Sequence, residues 1–400
     1  MSKRILIILL FMMTVWAVQK AQVNTLLYDA YGNYYSCNYT AAIASFDQLI
    51  STNVTPRPKD IFYRGISEYN IGNYRRALND LQLAASKDIV DALLWSARAS
   101  MNLNDPGSSL NDLREYLLKS PNTDLEEVTK DPLFKSLHNS DGWYSLLENY
   151  NKSKTREIID EARYLAEKQQ YDKAHSLIEN ASYNREIDLV QCNSKIYADE
   201  GNFELAVNEL NRGLENHPES RVLLKLKAEY LTRLNKSSEA YEIYTRLLEE
   251  TPEDFPLRFL HAEAALNSGN VSDAKSNIDL YLKYFSTEET LFLAGRIEYV
   301  SGRYLNSIKY FNRILEKNTS SAAYFKARGL AYYKTNTFQQ AAYDLSMSLD
   351  LVPDDAEVNY FLGLTQKSLG NTKMACYYLN RARQYGELKA IEYLQKNCGE

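Results

Sequence analysis

The residue types that most often perform chemistry are sparse in this sequence, and their spacing does not bring them together. None of the four histidines has a cysteine or carboxylate at a spacing typical of a metal site. No phosphate-binding loop, dinucleotide-binding glycine motif or nucleophile-turn motif occurs. The sequence therefore predicts no catalytic residue, no metal site and no cofactor, and an enzyme is the least favoured function. The histidines are His138, His175, His217 and His261.

A regular arrangement of small and apolar residues runs through the chain. Ten times, a Gly, Ala or Ser is followed twelve positions later by Ala or Ser, and four positions after that by a large apolar residue. Successive triplets are 32 to 35 residues apart, except for one step of 65. Small side chains let two helices approach closely, and the third residue lies one turn further along the same helix face. The triplets are Ala30/Ala42/Phe46, Gly65/Ala77/Leu81, Ala97/Ser109/Leu113, Ala162/Ala174/Ile178, Ser194/Ala206/Leu210, Ala228/Ala240/Tyr244, Ala262/Ala274/Ile278, Gly295/Ser307/Phe311, Gly329/Ala341/Leu345 and Gly363/Ala375/Leu379.

Glycine turns and terminal prolines punctuate the same units. A glycine in the left-handed conformation ends a helix and suits a tight turn, and a proline is tolerated where a helix stops. The turn glycines are Gly72, Gly201, Gly269, Gly302 and Gly370, and the prolines are Pro121, Pro218, Pro252 and Pro353. A unit near 34 residues with these features resembles the tetratricopeptide repeat, and the resemblance covers roughly residues 23–385.

The resemblance implies an all-α, right-handed superhelical solenoid of about ten helical hairpins with a C-terminal capping helix. We predict repeats 1–3 at residues 22–121, a helical insertion at 122–154, repeats 4–10 at 155–385, and the capping helix and tail at 386–400. Two short apolar stripes, one at Phe134 and Leu137 and one at Trp143, indicate that the insertion covers the end of repeat 3. A partner site there is the alternative. In the cap, Leu388, Ile391 and Leu394 are predicted to share the buried face.

The N-terminus has the pattern of a secretory signal. Lys3 and Arg4 precede an apolar run from Ile5 to Val18, and Ala21 offers a small residue for cleavage. The run is short for a membrane span, which needs about 20 residues. We therefore predict a signal peptide at residues 1–21, no membrane span after its removal, and export to the periplasm or outer membrane of a Gram-negative bacterium. An uncleaved anchor is the alternative.

Charge and cysteine content narrow the partners and the covalent chemistry. Removing residues 1–21 takes away three basic residues and no acidic one, which changes the formal net charge from −6 to −9. An acidic chain is a poor match for nucleic acid. The four cysteines contain no C-x-x-C pair, and we expect buried free thiols. A bridge from Cys376 to Cys398 is the alternative.

The resemblance also predicts where a partner binds, because the first helix of each repeat lines the concave face of such solenoids. In the last repeats, this register places aromatic and basic side chains alternately along a groove, which suits a protein or peptide with apolar and acidic groups. The alternative is that several of the rings pack between neighbouring helices. The candidate residues are Phe292, Arg296, Tyr299, Lys326, Tyr333, Tyr360 and Lys367.

The first and middle repeats supply further groove candidates. Leu27, Tyr31, Tyr34, Tyr35, Phe62, Ile66 and Tyr69 come from the first two repeats, and the middle repeats contribute Arg98, Arg163, Lys195, Lys225, Arg233, Glu167, Asp199, Glu229 and Glu263. Together these patterns predict a non-catalytic interaction scaffold of the cell envelope. The alternative is an accessory protein that binds a glycan or nutrient for an outer-membrane uptake system. The sequence leaves the oligomeric state open.

Overall fold

The computed structural model describes residues 24–52, 56–120, 122–123, 125–148, 150, 153–181 and 186–398. These residues form helices joined by short turns, and none of them lies in a β-strand. The predicted all-α fold of stacked helical hairpins with a terminal cap is therefore confirmed. No described helix is both long enough and apolar enough to cross a bilayer. The predicted signal peptide lies outside the described residues.

The chain comprises two compact units, Met1–Phe255 and Pro256–Glu400. Helices of the first unit pair as hairpins α1/α2, α3/α4, α5/α6, α9/α10, α11/α12 and α13/α14, with three short helices after α6. They are α1 (residues 24–35), α2 (Tyr39–Thr52), α3 (Pro58–Asn70), α4 (Tyr74–Ala85), α5 (Asp91–Asn102), α6 (Pro106–Lys119), α7 (Glu126–Thr129), a 3₁₀ helix (Pro132–Leu137), α8 (Asp141–Glu148), α9 (Lys154–Glu167), α10 (Tyr171–Glu179), α11 (Ile187–Asp199), α12 (Phe203–Asn216), α13 (Arg221–Arg233) and α14 (Ser237–Glu250).

The second unit consists of four hairpins and the cap. The hairpins are α15/α16, α17/α18, α19/α20 and α21/α22, and the first of these helices begins at the unit boundary. The helices are α15 (Phe255–Asn267), α16 (Val271–Tyr281), α17 (Glu288–Val300), α18 (Tyr304–Leu315), α19 (Ala322–Lys334), α20 (Phe338–Leu351), α21 (Ala356–Ser368), α22 (Thr372–Gln384) and α23 (Lys389–Asn397).

The small–small–apolar triplets lie in the core of their hairpins. Every residue of the ten triplets is buried. In hairpin α17/α18, the Ser307 hydroxyl donates a 2.8 Å hydrogen bond to the carbonyl oxygen of Gly295. The ring of Phe311 occupies the space that a side chain at position 295 would need. The close approach of the two backbones therefore explains the small residues.

We expect Gly295→Ala to destabilise hairpin α17/α18 by about 1–3 kcal/mol, because the added Cβ overlaps the Phe311 ring. Helix propensity alone would predict the opposite sign. Amide hydrogen exchange in α17 and α18 measures the change. The matched control is Gly107→Ala in α6, where a Cβ would meet only Asp105 Oδ1, at 3.7 Å. Equal losses of amide protection in the two variants, each measured in the hairpin that carries the substitution, would contradict the overlap argument.

Turns between paired helices contain a residue in the left-handed region. Gly302 has a φ of 74° and Gly370 has a φ of 84°, as the glycine pattern predicts. Other hairpins place a residue with a side chain in this conformation. Among these residues, asparagine tolerates the left-handed conformation best, because its short polar side chain can form local hydrogen bonds. Cysteine and glutamine, at positions 37 and 169, lack this advantage. These residues are Cys37, Asn104, Gln169, Asn235 and Asn336.

The insertion packs on hairpin α5/α6. Its apolar stripes join one buried cluster with the hairpin, in which Phe134, Trp143 and Leu146 lie against side chains such as Leu113. Asp131 links the two parts. One of its carboxylate oxygens accepts a 3.0 Å hydrogen bond from the Leu133 backbone N–H, and the other accepts a 2.8 Å bond from Arg98 Nε. The insertion thus covers apolar surface of α5 and α6.

An ion pair with a buried carboxylate crosses two of the hairpins beside their triplets. In α3/α4, Arg64 donates from Nε and Nη2 to the two carboxylate oxygens of Asp80, at 2.8 and 2.7 Å. In α19/α20, Arg328 binds Asp344 in the same way, at 2.7 and 2.8 Å. Both members precede a triplet residue by one position. The sequence signal of this pair is an Arg before the small residue and an Asp before the large apolar one, and it was not among the predictions.

The terminal helix α23 differs from its prediction in two respects. A disulfide joins Cys376 in α22 to Cys398, with 5.9 Å between the Cα atoms, so the expected free thiols are wrong for this pair. The buried face consists of Ala390 and Leu394, whereas Leu388 is 75% exposed. Leu388 is the N-cap of α23 and Ile391 is 38% exposed, so of the predicted stripe only Leu394 lies on the buried face. Of the remaining cysteines, Cys192 is a buried free thiol, as expected, whereas Cys37 is free but exposed, contrary to expectation.

Candidate functional site

Four of the seven candidate residues line one pocket between α17 and α19. Phe292, Arg296 and Tyr299 come from α17, and Lys326 comes from α19. The cavity has a volume of ≈ 240 Å³. First helices of neighbouring hairpins therefore present these groups to a common space. The remaining lining residues are Val300, Phe311, Ala323, Ala327 and Leu330.

The floor of this pocket is apolar and rigidly supported. Phe311, the buried triplet residue of α18, reaches the pocket because Gly295 has no side chain to block it. Phe292 packs with ring-centroid distances of 5.8 Å to Phe311 and 5.1 Å to Tyr324. The Phe292 ring therefore both packs against neighbouring rings and forms a wall of the pocket. The alternative that the rings pack between helices thus holds for this residue in part.

The two cations of the pocket differ in how their charges are balanced. Lys326 Nζ lies 2.9 Å from a carboxylate oxygen of Asp355 and 2.9 Å from one of Glu357. Burial alone lowers the pKa of Lys326, but the hydrogen bonds to these two carboxylates outweigh it and raise the pKa. Arg296 Nη2 instead donates a 3.0 Å hydrogen bond to the neutral amide oxygen of Asn267.

The two acidic partners of Lys326 were not predicted from the sequence. Asp355 is the N-cap of α21, where its Oδ1 accepts a 3.0 Å hydrogen bond from the Val358 backbone N–H. Glu357 lies in the first turn of the same helix. Acidic residues at a helix N-terminus are ordinarily interpreted as capping residues, and this role can be predicted from the sequence. Their contact with Lys326 cannot, because it depends on how the next hairpin stacks.

The other three candidates lie outside the pocket and contact neighbouring helices. Tyr333 lies 5.3 Å from Phe361, measured between ring centroids, and burial raises its pKa. Tyr360 packs against the cluster formed by α22 and α23. Lys367 places its Nζ 4.5 Å from the ring centroid of Tyr393 in α23. These contacts follow the packing alternative for the last repeats.

A second, polar pocket of ≈ 420 Å³ lies between α9 and α11 in the first unit. It brings together four of the charged groups predicted for the middle repeats, which are Arg163, Lys195, Glu167 and Asp199. Cys192 also lines it, and burial raises the pKa of this thiol against the opposing effect of Arg163. All four charged residues are exposed, as in an ordinary solvated helix face.

The aromatic residues of the first two repeats form a packed cluster instead of an open groove. Tyr31 is fully buried and donates a 2.9 Å hydrogen bond to Asp60 Oδ1, so its prediction as a groove residue is wrong. Tyr34 lies 4.6 Å from Tyr63, measured between ring centroids. Rings this large gain more from mutual burial than from exposure on a narrow concave face. Within the described part of the chain, no group of three or more His, Cys, Asp and Glu could hold a metal ion.

Three stretches of the chain, residues 194–255, 259–323 and 292–356, match the model of the tetratricopeptide repeat family. These segments are similar to tetratricopeptide repeats. The matched segments include all residues that line the pocket between α17 and α19. The sequence resemblance is therefore confirmed for the part of the chain that carries the candidate site.

Similarity to individual proteins is low. The human protein sperm-associated antigen 1 is 23% identical in an alignment of 268 positions that covers 58% of this chain and 29% of that protein. The chain thus spans less than a third of the length of this curated relative. A tetratricopeptide repeat protein from Parabacteroides merdae is 17% identical, with a TM-score of 0.49, over 62% of this chain and 99% of the other. The type IV pilus biogenesis factor PilW is 16% identical, with a TM-score of 0.45, over 53% of this chain and 99% of the other.

Proposed function

We propose that this protein is a non-catalytic interaction scaffold of the cell envelope, which binds a protein or peptide partner at the pocket between α17 and α19. Tetratricopeptide repeats generally act as scaffolds for protein interactions. The pocket carries the proposal, because it combines an apolar floor with an adjacent cation on two first helices of adjacent repeats. Apolar anchors in such pockets supply most of the binding energy of many interfaces.

The pattern of residues 1–21 supports the cellular part of the proposal. A basic start, an apolar run and a small residue before Gln22 favour export. The Cys376–Cys398 disulfide agrees with an oxidising compartment such as the periplasm. We therefore propose that the scaffold acts in the periplasm or at the outer membrane of a Gram-negative bacterium.

Affinity capture from an envelope extract tests the partner site, with residues 22–400 as bait. We expect a Tyr299→Ala/Val300→Ala variant to retain at least tenfold less of a specific partner, because both side chains form the pocket wall. The control is Leu305→Ala in α18, which removes an exposed apolar side chain that does not line the pocket. Circular dichroism first establishes that each bait is folded. A partner retained equally by all baits would refute the pocket assignment.

A further inference from the structure

We infer that the pocket between α17 and α19 selects a peptide segment in which a large apolar side chain lies between one acidic and one basic side chain. This inference rests on the proposed function and names the chemistry of the partner. It differs from the sequence prediction of an apolar and acidic partner, because the two cations of the pocket are not equivalent.

The apolar position follows from the floor and the volume of the pocket. Phe311, Ala327 and Leu330 line a cavity of ≈ 240 Å³, which admits one large side chain such as Phe or Leu. Val300, at the end of α17, is 57% exposed beside it and leaves the pocket open to solvent. One anchoring side chain therefore determines the register of the bound segment.

The α17 side of the pocket favours an acidic group. Arg296 forms its hydrogen bond with Asn267, which is neutral, and none of the ion pairs between described residues includes Arg296. Glu263 lies one turn before Asn267 on α15, but it does not form an ion pair with the guanidinium of Arg296. A carboxylate brought beside Arg296 would therefore meet a positive charge that no ion pair offsets.

The opposite side favours a basic group. Lys326 brings one positive charge, whereas Asp355 and Glu357 bring two negative charges. The N-terminus of α21 adds about half a positive charge, so the cluster as a whole stays negative. The side chain of Glu357 is 49% exposed and remains available to a ligand. The pKa of Tyr299, in the pocket wall, is raised mainly by burial and secondarily by Tyr304 and Glu357. The negative charge of Glu357 therefore acts on the pocket as well.

The spacing of the three groups follows from the geometry of an extended chain. Side chains two residues apart lie on the same face and about 7 Å from each other. An anchor with an acidic residue two positions away on one side and a basic residue two positions away on the other therefore spans neighbouring first helices, which pack about 8–10 Å apart. The order of the two charges depends on the direction in which the segment runs.

Dye-labelled, end-capped peptides test this inference by fluorescence anisotropy with residues 22–400. The probes are Glu-Ser-Phe-Ser-Lys, its reverse Lys-Ser-Phe-Ser-Glu, and two versions that carry either two glutamates or two lysines. We expect one of the mixed-charge peptides to bind about fivefold more tightly than both like-charge peptides, as expected for charge pairs at an interface rim. We further expect Arg296→Glu to weaken that peptide and to strengthen the two-lysine peptide about fivefold.

The charge-reversal control is Lys309→Glu, on exposed surface of α18 in the same hairpin, which is expected to change no peptide affinity. Tightest binding of the two-glutamate peptide would refute the inference, because Lys326 would then act as a net cation. Absence of binding by every peptide would also refute it. If envelope capture still depended on Tyr299 and Val300, the proposed function would stand without this specificity.

Discussion

Replacing Asp344 by alanine is expected to destabilise hairpin α19/α20 by about 3 kcal/mol, because it leaves the guanidinium of Arg328 inside the fold without its carboxylate. Asp344 is almost completely buried, and both of its oxygens accept hydrogen bonds from Arg328. The side chain of Arg328 is 17% exposed, and it keeps one hydrogen bond, to Asn312 Oδ1 at 2.9 Å. The expected loss therefore lies at the lower end of what broken buried pairs cost.

Hydrogen exchange of the backbone amides in α19 and α20 measures this loss, since repeat arrays do not unfold in one step and a single melting temperature would average over units. The matched control is Asp350→Ala, at an exposed position near the end of α20. Removing Arg328 together with Asp344 should restore part of the stability. A loss of protection no greater than that of the control would show that the pair contributes little.

Loss of the Cys376–Cys398 disulfide is expected to destabilise the docked state of α23 by about 3 kcal/mol, the chain-entropy value for closing a loop of 22 residues. The noncovalent contacts of the cap are few, with Ala390 and Leu394 as its buried apolar residues. A Cys376→Ser/Cys398→Ser variant should therefore lose amide protection in α23, whereas α19 and α20 retain theirs.

A reductant provides an independent test of the same effect. It should deprotect α23 in the natural sequence and change nothing further in the double-serine variant. Cys37→Ser is the matched control, because Cys37 is an exposed free cysteine far from the cap in sequence. Full protection of α23 in the reduced protein would show that packing alone holds the cap.

The sequence predicted most of the fold because the packing of paired helices depends on short-range spacing. A position such as Gly295 must be small where Phe311 crosses it, and this requirement repeats in every hairpin. The turn glycines are equally local, since Gly302 and Gly370 adopt a conformation that disfavours side chains. In contrast, Gln169 takes the same conformation although it is neither glycine nor asparagine, so its residue type does not predict a turn.

The candidate site was less predictable because groove chemistry depends on contacts between hairpins. Tyr31 and Tyr360 occupy the same positions on the first helix of their repeats as residues that line the pocket. Neighbouring aromatic and apolar groups nevertheless pack against them. The pairing of Cys376 with Cys398 depends on where α23 docks, which no local pattern specifies. Likewise, Lys326 could be recognised as basic from the sequence, but its neutralisation by Asp355 and Glu357 required the structure.

Because Asp355 contributes to two hairpins, single repeats are poor units for deletion experiments on this protein. The same carboxylate caps α21 and balances Lys326 in the preceding hairpin. A fragment that stops at the end of α20 would lose Asp355 and Glu357 and would leave the ammonium of Lys326 without its counterions. Such a fragment would attract acidic groups to Lys326, where we expect the intact chain to favour basic ones, so deletion mapping would assign it a specificity created by the cut itself.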